Sequence, residues 1–410
     1  MQKIVTALFL IFMGTLALTQ FVHSTDQLII IRSYGNIDPP TASISSMDAT
    51  YTFTEEIHAE IIVQKSNIII DGKNFTLKGD RALNSTGILL FNVENVTIKN
   101  VYITGFFYAI KIEDSKNCIV TGNTIMDSDF GVWIENATGI VVIKNVFSGL
   151  WCGTVLKNSS KNQISGNSFS NNMHGLMLDW SPENILAKNN LTDNSSGISL
   201  AWSGNNFISE NVIMGKTKKN EYGIKLYSSS DNVILNNHVE NTFYAMSLLY
   251  NTVRNLIIRN RISRNFYGIK IWYATNNSIY HNIFIDNAEQ AKCYSFPNKW
   301  DNGYPEGGNY WSNYVGTDIK SGKNQDRPGS DGIGDVPHSI DDKNVDHYPL
   351  IGNPLKHEFN QAPALFYLLA IITPTILGTA LFMLYRVKMT KTKPEKVYGS
   401  PEERFAKRKV

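Results

Sequence analysis

Four groups of residues have the type and spacing to do chemistry. Glu113 and Glu135 stand 22 residues apart, each four residues after a small residue, Ala109 and Gly131, that opens a recurring pattern. If the two patterns stack, the carboxylates come within roughly 5 Å. At that separation two carboxyls suit a retaining glycosidase; equally, they raise one pKa or recruit a cation. Asp179 occupies the same place two units after Glu135 and completes the candidate catalytic set, while Lys157 between them is placed to neutralise it. The second group is aromatic: Trp133, Trp180, Trp202, Tyr227 and Trp272 fall at outward places of the pattern, with Tyr250 and Tyr273 beside them. Flat rings among charges suit sugars, whose apolar faces meet the rings while hydroxyls take polar partners. The third group is the run MHGLM, in which Met173, His174 and Met177 offer copper-type donors. Only Met177 falls on a strand there, and His238 and His281 are separated by almost two units. The fourth is acidic: Asp326, Asp331 and Asp335 offer oxygen ligands for calcium. SDGIGD lacks the D-x-D-x-D-G spacing, and turns capped by Asp account for it equally well.

The elements that hold these residues are repeats. Small anchors recur at Gly87, Ala109, Gly131, Gly153, Gly175, Gly197, Gly223, Ala245, Gly268 and Ala291, at spacings of 22 to 26 residues. A fixed period of this size signals a solenoid. Within a unit, apolar residues fall one and three places after the anchor, again near nine to eleven, and again near sixteen. Apolar residues two apart share one face of a strand. Three short strands per period, separated by Asn, Gly and Ser, describe one triangular coil of an all-β, right-handed parallel β-helix. A leucine-rich repeat shares the period but needs an L-x-x-L-x-L run that is absent. Fourteen residues after the anchors stand Asn123, Asn145, Asn167, Asn189, Asn211, Asn237 and Asn282. Asn tolerates the left-handed backbone of a sharp corner, and its amide can bond from coil to coil. The 26-residue unit carries a polar insertion, Lys216 to Glu221, expected as a protruding loop.

Bulk properties place the solenoid outside the cell. Residues 386–410 hold nine Lys and Arg against three Glu, a net of +6; with Lys3 this leaves residues 25–361 at about −5 within the total of +2. Such a body is a poor candidate for nucleic acid. A basic start and the apolar run Ile4 to Leu18 predict a signal segment over 1–24. The 24 uncharged residues 362–385, followed by Arg386, Lys388, Lys391 and Lys393, predict one membrane-spanning helix with a cytoplasmic tail, 386–410. Between these ends lie an N-terminal cap with first coils (25–86), the repeats (87–291), a Gly-, Asp- and aromatic-rich C-terminal cap (292–352) and a linker (353–361). Three cysteines, an odd number, argue against a disulfide framework, and eight N-x-S/T sequons from Asn74 to Asn276 are candidate glycosylation sites.

Three stretches carry a family resemblance: IIIRSYGNIDPPTASI (Ile29 to Ile44), GGNYWSNYVGTD (Gly307 to Asp318), and NQDRPGSDGIGDVPHSI with NVDHYPL (Asn324 to Ile340, Asn344 to Leu350). With the coils, they resemble the NosD-like β-helix proteins over roughly residues 27–352. The resemblance implies periplasmic copper binding in the maturation of a copper enzyme. Many β-helix relatives are instead carbohydrate-binding or sugar-cleaving. The leading expectation is a membrane-anchored surface protein that binds glycan or envelope polymer without catalysis. A copper accessory protein and a polysaccharide hydrolase, lyase or epimerase are the alternatives. The oligomeric state is not legible.

Overall fold

The computed structural model of the chain describes residues 27–216 and 222–352, all within one compact unit. The expected signal segment, linker, membrane helix and tail lie outside the described residues, as does the insertion beyond Lys216. The described chain winds into about eleven coils of a parallel β-helix and contains no helix. A typical coil lays down one six-residue strand and two three-residue strands, such as Phe130–Glu135, Val141–Ile143 and Val146–Ser148. Like strands stack in parallel into three sheets of 13, 12 and 11 strands. Each unit lands one rung on from its predecessor, so Ile110 pairs with Val132 and Val132 with Thr154.

The apolar positions read from the sequence fill the bore. Ile110, Ile112, Val132, Ile134, Phe147 and Phe169 are all fully buried. Phe147 and Phe169 stack at 4.7 Å. Such residues contribute roughly 2 kcal/mol each only when coils above and below cover them. The anchors are small for a steric reason. A Cβ on Gly131 would sit 2.3 Å from the carbonyl oxygen of Gly153 and 2.6 Å from the Phe147 ring. The anchor therefore faces the bore, as does the residue after it, and the strand kinks there. In consequence the residue before each anchor faces outward, a column that simple alternation from the anchor does not reach.

The asparagines fourteen places after the anchors stack as expected but do not form the corner. The left-handed residues are their predecessors, including Lys144 (φ 58), Lys188 (φ 57) and Glu210 (φ 54). The asparagines themselves turn inward and are at most 2% exposed. The backbone N–H and Nδ2 of Asn145 both donate to Asn167 Oδ1, at 2.9 and 3.1 Å, and Asn145 Nδ2 also donates to the Val120 carbonyl at 2.9 Å. The same pattern continues through Asn189, Asn211, Asn237, Asn260, Asn282 and Asn309. A second ladder, unread in the sequence, runs from Asn162 through Asn184, Asn206, Asn232, Asn255 and Asn277 to Asn298. Asn194, one of the sequons, is buried in a shorter third ladder, where Asn172 donates to it.

Caps close both ends, where bare strand edges would otherwise pair with other chains. At the N-terminal end Ile37–Asp38 folds back antiparallel on Gln27–Ile31, and Ile44–Met47 pairs antiparallel with Thr50–Phe53. At the C-terminal end Trp311 stacks on Phe284 at 4.4 Å. The first asparagine ladder ends on Asp346, whose Oδ2 accepts from the Asn309 backbone N–H and from Trp311 Nε1, both at 2.8 Å. The motifs GGNYW and NVDHYPL thus meet as one device that stops the stack. Burial pushes the Asp346 carboxyl up to about 7, against the pull of its hydrogen-bond donors.

Removing one ladder amide should loosen the whole rod. Asn189→Ala leaves the Asn167 donors buried without their acceptor, so urea unfolding should report a loss of about 2–4 kcal/mol. Asn136→Ala, at an exposed left-handed corner outside the ladder, should cost no more than about 1–2 kcal/mol. Equal losses would mean that the amide ladder has no special weight.

Candidate functional site

The outer face of the 13-stranded sheet carries most of the residues singled out above. Three columns point outward there: the residue before each anchor, and the second and fourth after it. The fourth column aligns Glu113 with Glu135, Lys157 and Asp179 on successive rungs, as expected. The carboxylates do not form a free pair. Lys111 Nζ lies 2.7 Å from Glu113 Oε2, and Lys157 Nζ lies 2.8 Å from Glu135 Oε1. Trp133 Nε1 donates to Glu135 Oε2 at 3.0 Å. Burial pushes Glu135 up, but these two hydrogen bonds and the Lys157 and Lys111 charges outweigh it and hold the carboxyl below its ordinary value. A retaining glycosidase needs one carboxyl kept protonated as general acid. The geometry holds Glu135 ionised, which excludes it from that acid role, and Lys111 and Lys157 lie against the two carboxylates. Asp179 differs: burial raises its pKa against the Lys157 charge, and its Oδ1 is buried without a hydrogen-bond partner.

The aromatic residues divide between two places. Trp133 packs with Tyr108 and Phe130, at ring separations of 5.4 and 5.0 Å, in a block that Phe107 and Trp151 extend. Burial, with the Glu135 and Glu113 charges, pushes the Tyr108 hydroxyl up to about 12. Trp180, Trp202, Tyr227 and Trp272 belong to a separate chain of rings along the corner that ends the long strands. Trp180 stacks on Trp202 at 5.4 Å, Trp202 meets Tyr227 at 5.5 Å, and Tyr227 meets Tyr250 at 5.4 Å. Tyr273, Trp272 and Tyr294 continue the line.

That corner has a left-handed backbone. On earlier coils it is occupied by Asn92, Asp114, Asn136 and Asn158, residues suited to it. On later coils Trp180 (φ 49), Trp202 (φ 47), Tyr250 (φ 42) and Tyr273 (φ 52) take the same place. A bulky side chain there costs on the order of 1–2 kcal/mol. Burial does not offset it, since Trp180 is 57% and Tyr273 63% exposed.

The column before the anchors was not singled out in the sequence. It reads Tyr108, Phe130, Cys152, His174, Ser196, Tyr222, Tyr244 and Tyr267. His174 thus opens the strand His174–Asp179 and does not sit in the preceding turn. Its ring lies 5.1 Å from Trp151, its Nδ1 is buried without a partner, and burial followed by the Lys225 charge lowers its pKa. The signal was present as six rings or imidazoles at a 22- to 26-residue period; only the kink at the anchor makes it outward.

The metal donors do not converge. No three His, Cys, Asp or Glu gather into a metal-holding group among the described residues. His238 Nε2 is engaged by Glu240 at 3.0 Å and His281 Nε2 by the Glu306 carbonyl at 2.8 Å. The three cysteines are free and buried, and burial pushes the Cys118 and Cys293 thiols up to about 11 and that of Cys152 higher still. In the C-terminal cap Asp331 accepts from the Gly322 and Ile333 backbone N–H groups, and Asp335 from those of Ile319 and Lys320. Asp326 is exposed. Asp331 and Asp335 thus cap turns.

The Glu135 environment can be read directly by carbon-detected NMR of its carboxyl. It should titrate below the usual glutamate range, and Lys157→Met should move it above. Because the folded value is depressed, its stabilising contribution is present above the unfolded pKa and lost as pH falls through the folded one. An unmoved titration in Lys157→Met would refute the assignment of Lys157 as the dominant partner.

The family model for the periplasmic copper-binding protein (NosD) matches residues 66–217 and 153–316. Among curated proteins, none matches the chain. Among solved structures, a double mutant of the periplasmic alginate epimerase AlgG is similar at 19% identity and a TM-score of 0.51, over 64% of this chain and 71% of that one. PfbA, a surface adhesin of Streptococcus pneumoniae, is similar at 16% identity and a TM-score of 0.40, over 58% and 82%. At these identities the likeness concerns the fold alone.

Proposed function

The chain belongs to the NosD family of right-handed β-helix proteins, and from that premise we propose that it is a non-enzymatic surface protein that recognises a glycan or cell-envelope polymer. Its β-helix is held outside the cell by the membrane segment at 362–385. The observation that carries this reading is the row of rings from Trp180 to Tyr294. Four of its members occupy left-handed corners that other coils give to Asn and Asp, and most of the row is exposed. Strain held in place without burial marks function more often than folding. At ~4.8 Å per rung the six coils from Trp180 to Tyr294 span roughly 25 Å, enough to follow several sugar units of an extended polymer. Polar groups flank the rings, as a sugar's alternating faces require.

For the copper reading that the family's name suggests, no three His, Cys, Asp or Glu gather among the described residues. A hydrolase acting through Glu113 and Glu135 is disfavoured by the lysines that hold both carboxylates.

Replacing Trp180 and Trp202 together by Asn restores the residue type that the corner prefers. The double variant of the full-length chain should melt within a few degrees of the original. Its affinity for a glycan bound by the original, measured by calorimetry, should fall by about tenfold or more. Undiminished affinity would sink the ring row as the binding surface.

A further inference from the structure

The outer face of the long sheet changes character midway along the rod. Phe130, Trp133 and Trp151 close one aromatic block. Tyr222 and Tyr244, stacked at 5.0 Å, open another. The strand Ser196–Ala201 between them presents Ser196, Ser199 and Ala201 outward, with the two hydroxyls 2.8 Å apart. These short side chains leave a saddle. His174 and Met177 stand on the rung below it, and Tyr222 and Lys225 on the rung above. The saddle is therefore about two rungs, or ~10 Å, from wall to wall.

Polar groups around it lack partners. Five buried side-chain atoms among the described residues have none, and two of them, His174 Nδ1 and Asp179 Oδ1, belong to outward residues of the rung below the saddle. Native proteins leave few such atoms, and each calls for an explanation. The charges tell the same story. Three lysines on this face each have a carboxylate within 2.8 Å: Lys111 at Glu113, Lys157 at Glu135 and Lys292 at Glu289. Lys225 stands in register between Ser199 and Ser247, with its ammonium 5.0 Å from the centre of the Tyr222 ring and, like Lys270 further along the column, no ion pair among the described residues. Burial lowers its pKa. A half-buried ammonium facing hydroxyls and a ring is complementary to an anion.

We infer that this saddle takes the carboxylate of an acidic sugar, a hexuronate unit, which Lys225 pairs beside the Ser196 and Ser199 hydroxyls. The inference rests on the glycan-binding reading and gives it a substrate class. A carboxylate suits the site better than a phosphate dianion, because one lysine supplies the positive charge. The aromatic walls on either side suit the faces of neighbouring sugar rings.

The test compares an oligouronate with its carboxyl-reduced counterpart, which keeps the linkage but carries no charge, by calorimetry on the full-length chain. The expected result is about a tenfold preference for the oligouronate, the scale of one charge-assisted pair. Lys225→Met should abolish that preference and leave affinity for the reduced polymer unchanged. Lys225→Arg, which keeps the charge, should retain it and serves as the folding control. Trp202→Asn should weaken both ligands alike. No preference in the original chain, or a preference that survives Lys225→Met, overturns the inference while leaving the ring row standing. Failure of the original to bind either polymer overturns both.

Discussion

The constraint on which the rest depends is the hydrogen bonding of buried asparagine side chains between coils. In the first ladder each Oδ1 receives two donors from the coil before it, one from backbone and one from side chain, and each Nδ2 reaches back to a carbonyl. Both ends of the amide are thereby used in a place that water does not reach. A slip of one residue would leave all of them unpaired at once, at a cost of about 1–3 kcal/mol apiece. Two long ladders run through successive corners of the triangle, so the register is set at more than one edge of every coil. The apolar bore supplies the larger share of stabilisation and resists the same slip, which would turn its side chains outward. The amides add a directional requirement to it.

Registration of this kind has a chemical consequence on the outer surface. Like positions become columns, so like side chains are brought within one rung of each other. Aromatic columns gain from this, as the ring stacks from Trp180 to Tyr294 and from Phe243 to Phe266 attest. Charged columns suffer from it. Glu113 above Glu135 would repel, and the sequence answers with Lys111 and Lys157 at neighbouring grid points. In three dimensions each member of the acidic pair has a lysine beside it.

The period, the anchors, the bore residues and the first asparagine column were legible because each depends on spacing alone. The outward places two and four after each anchor were legible for the same reason. The column containing His174 and Tyr222 was not, because a steric kink at the anchor resets the alternation, and only the meeting of Gly131 with the Gly153 carbonyl reveals it. The role of the corner was misplaced by one residue. Asparagine tolerates a left-handed backbone, yet here Lys144 and Glu210 bear that conformation so that the asparagine beside them can turn inward. The acidic cap residues were ambiguous in sequence, since a carboxylate that binds calcium and one that accepts backbone N–H groups have the same letter. What distinguishes them is whether the donors have already arrived.

A repeat that stacks like on like satisfies itself, and this makes its exceptions informative. Where every rung resembles the next, a polar side chain finds its partner one coil away, as Ser159, Ser181 and Ser203 do in sequence. Unmatched groups can persist only where adjacent rungs differ in kind. On the outer face that happens between the aromatic block ending at Trp151 and the one beginning at Tyr222, and there His174 Nδ1 and Asp179 Oδ1 are buried without partners. The corner aromatics are exceptions of another sort, since the backbone beneath them is the same on every coil and only the side chain departs from what that backbone favours. Neither departure improves the rod. In a molecule whose stability comes from repetition, residues that break the pattern at a cost are held there by something other than the fold, and on this chain they lie on one continuous surface.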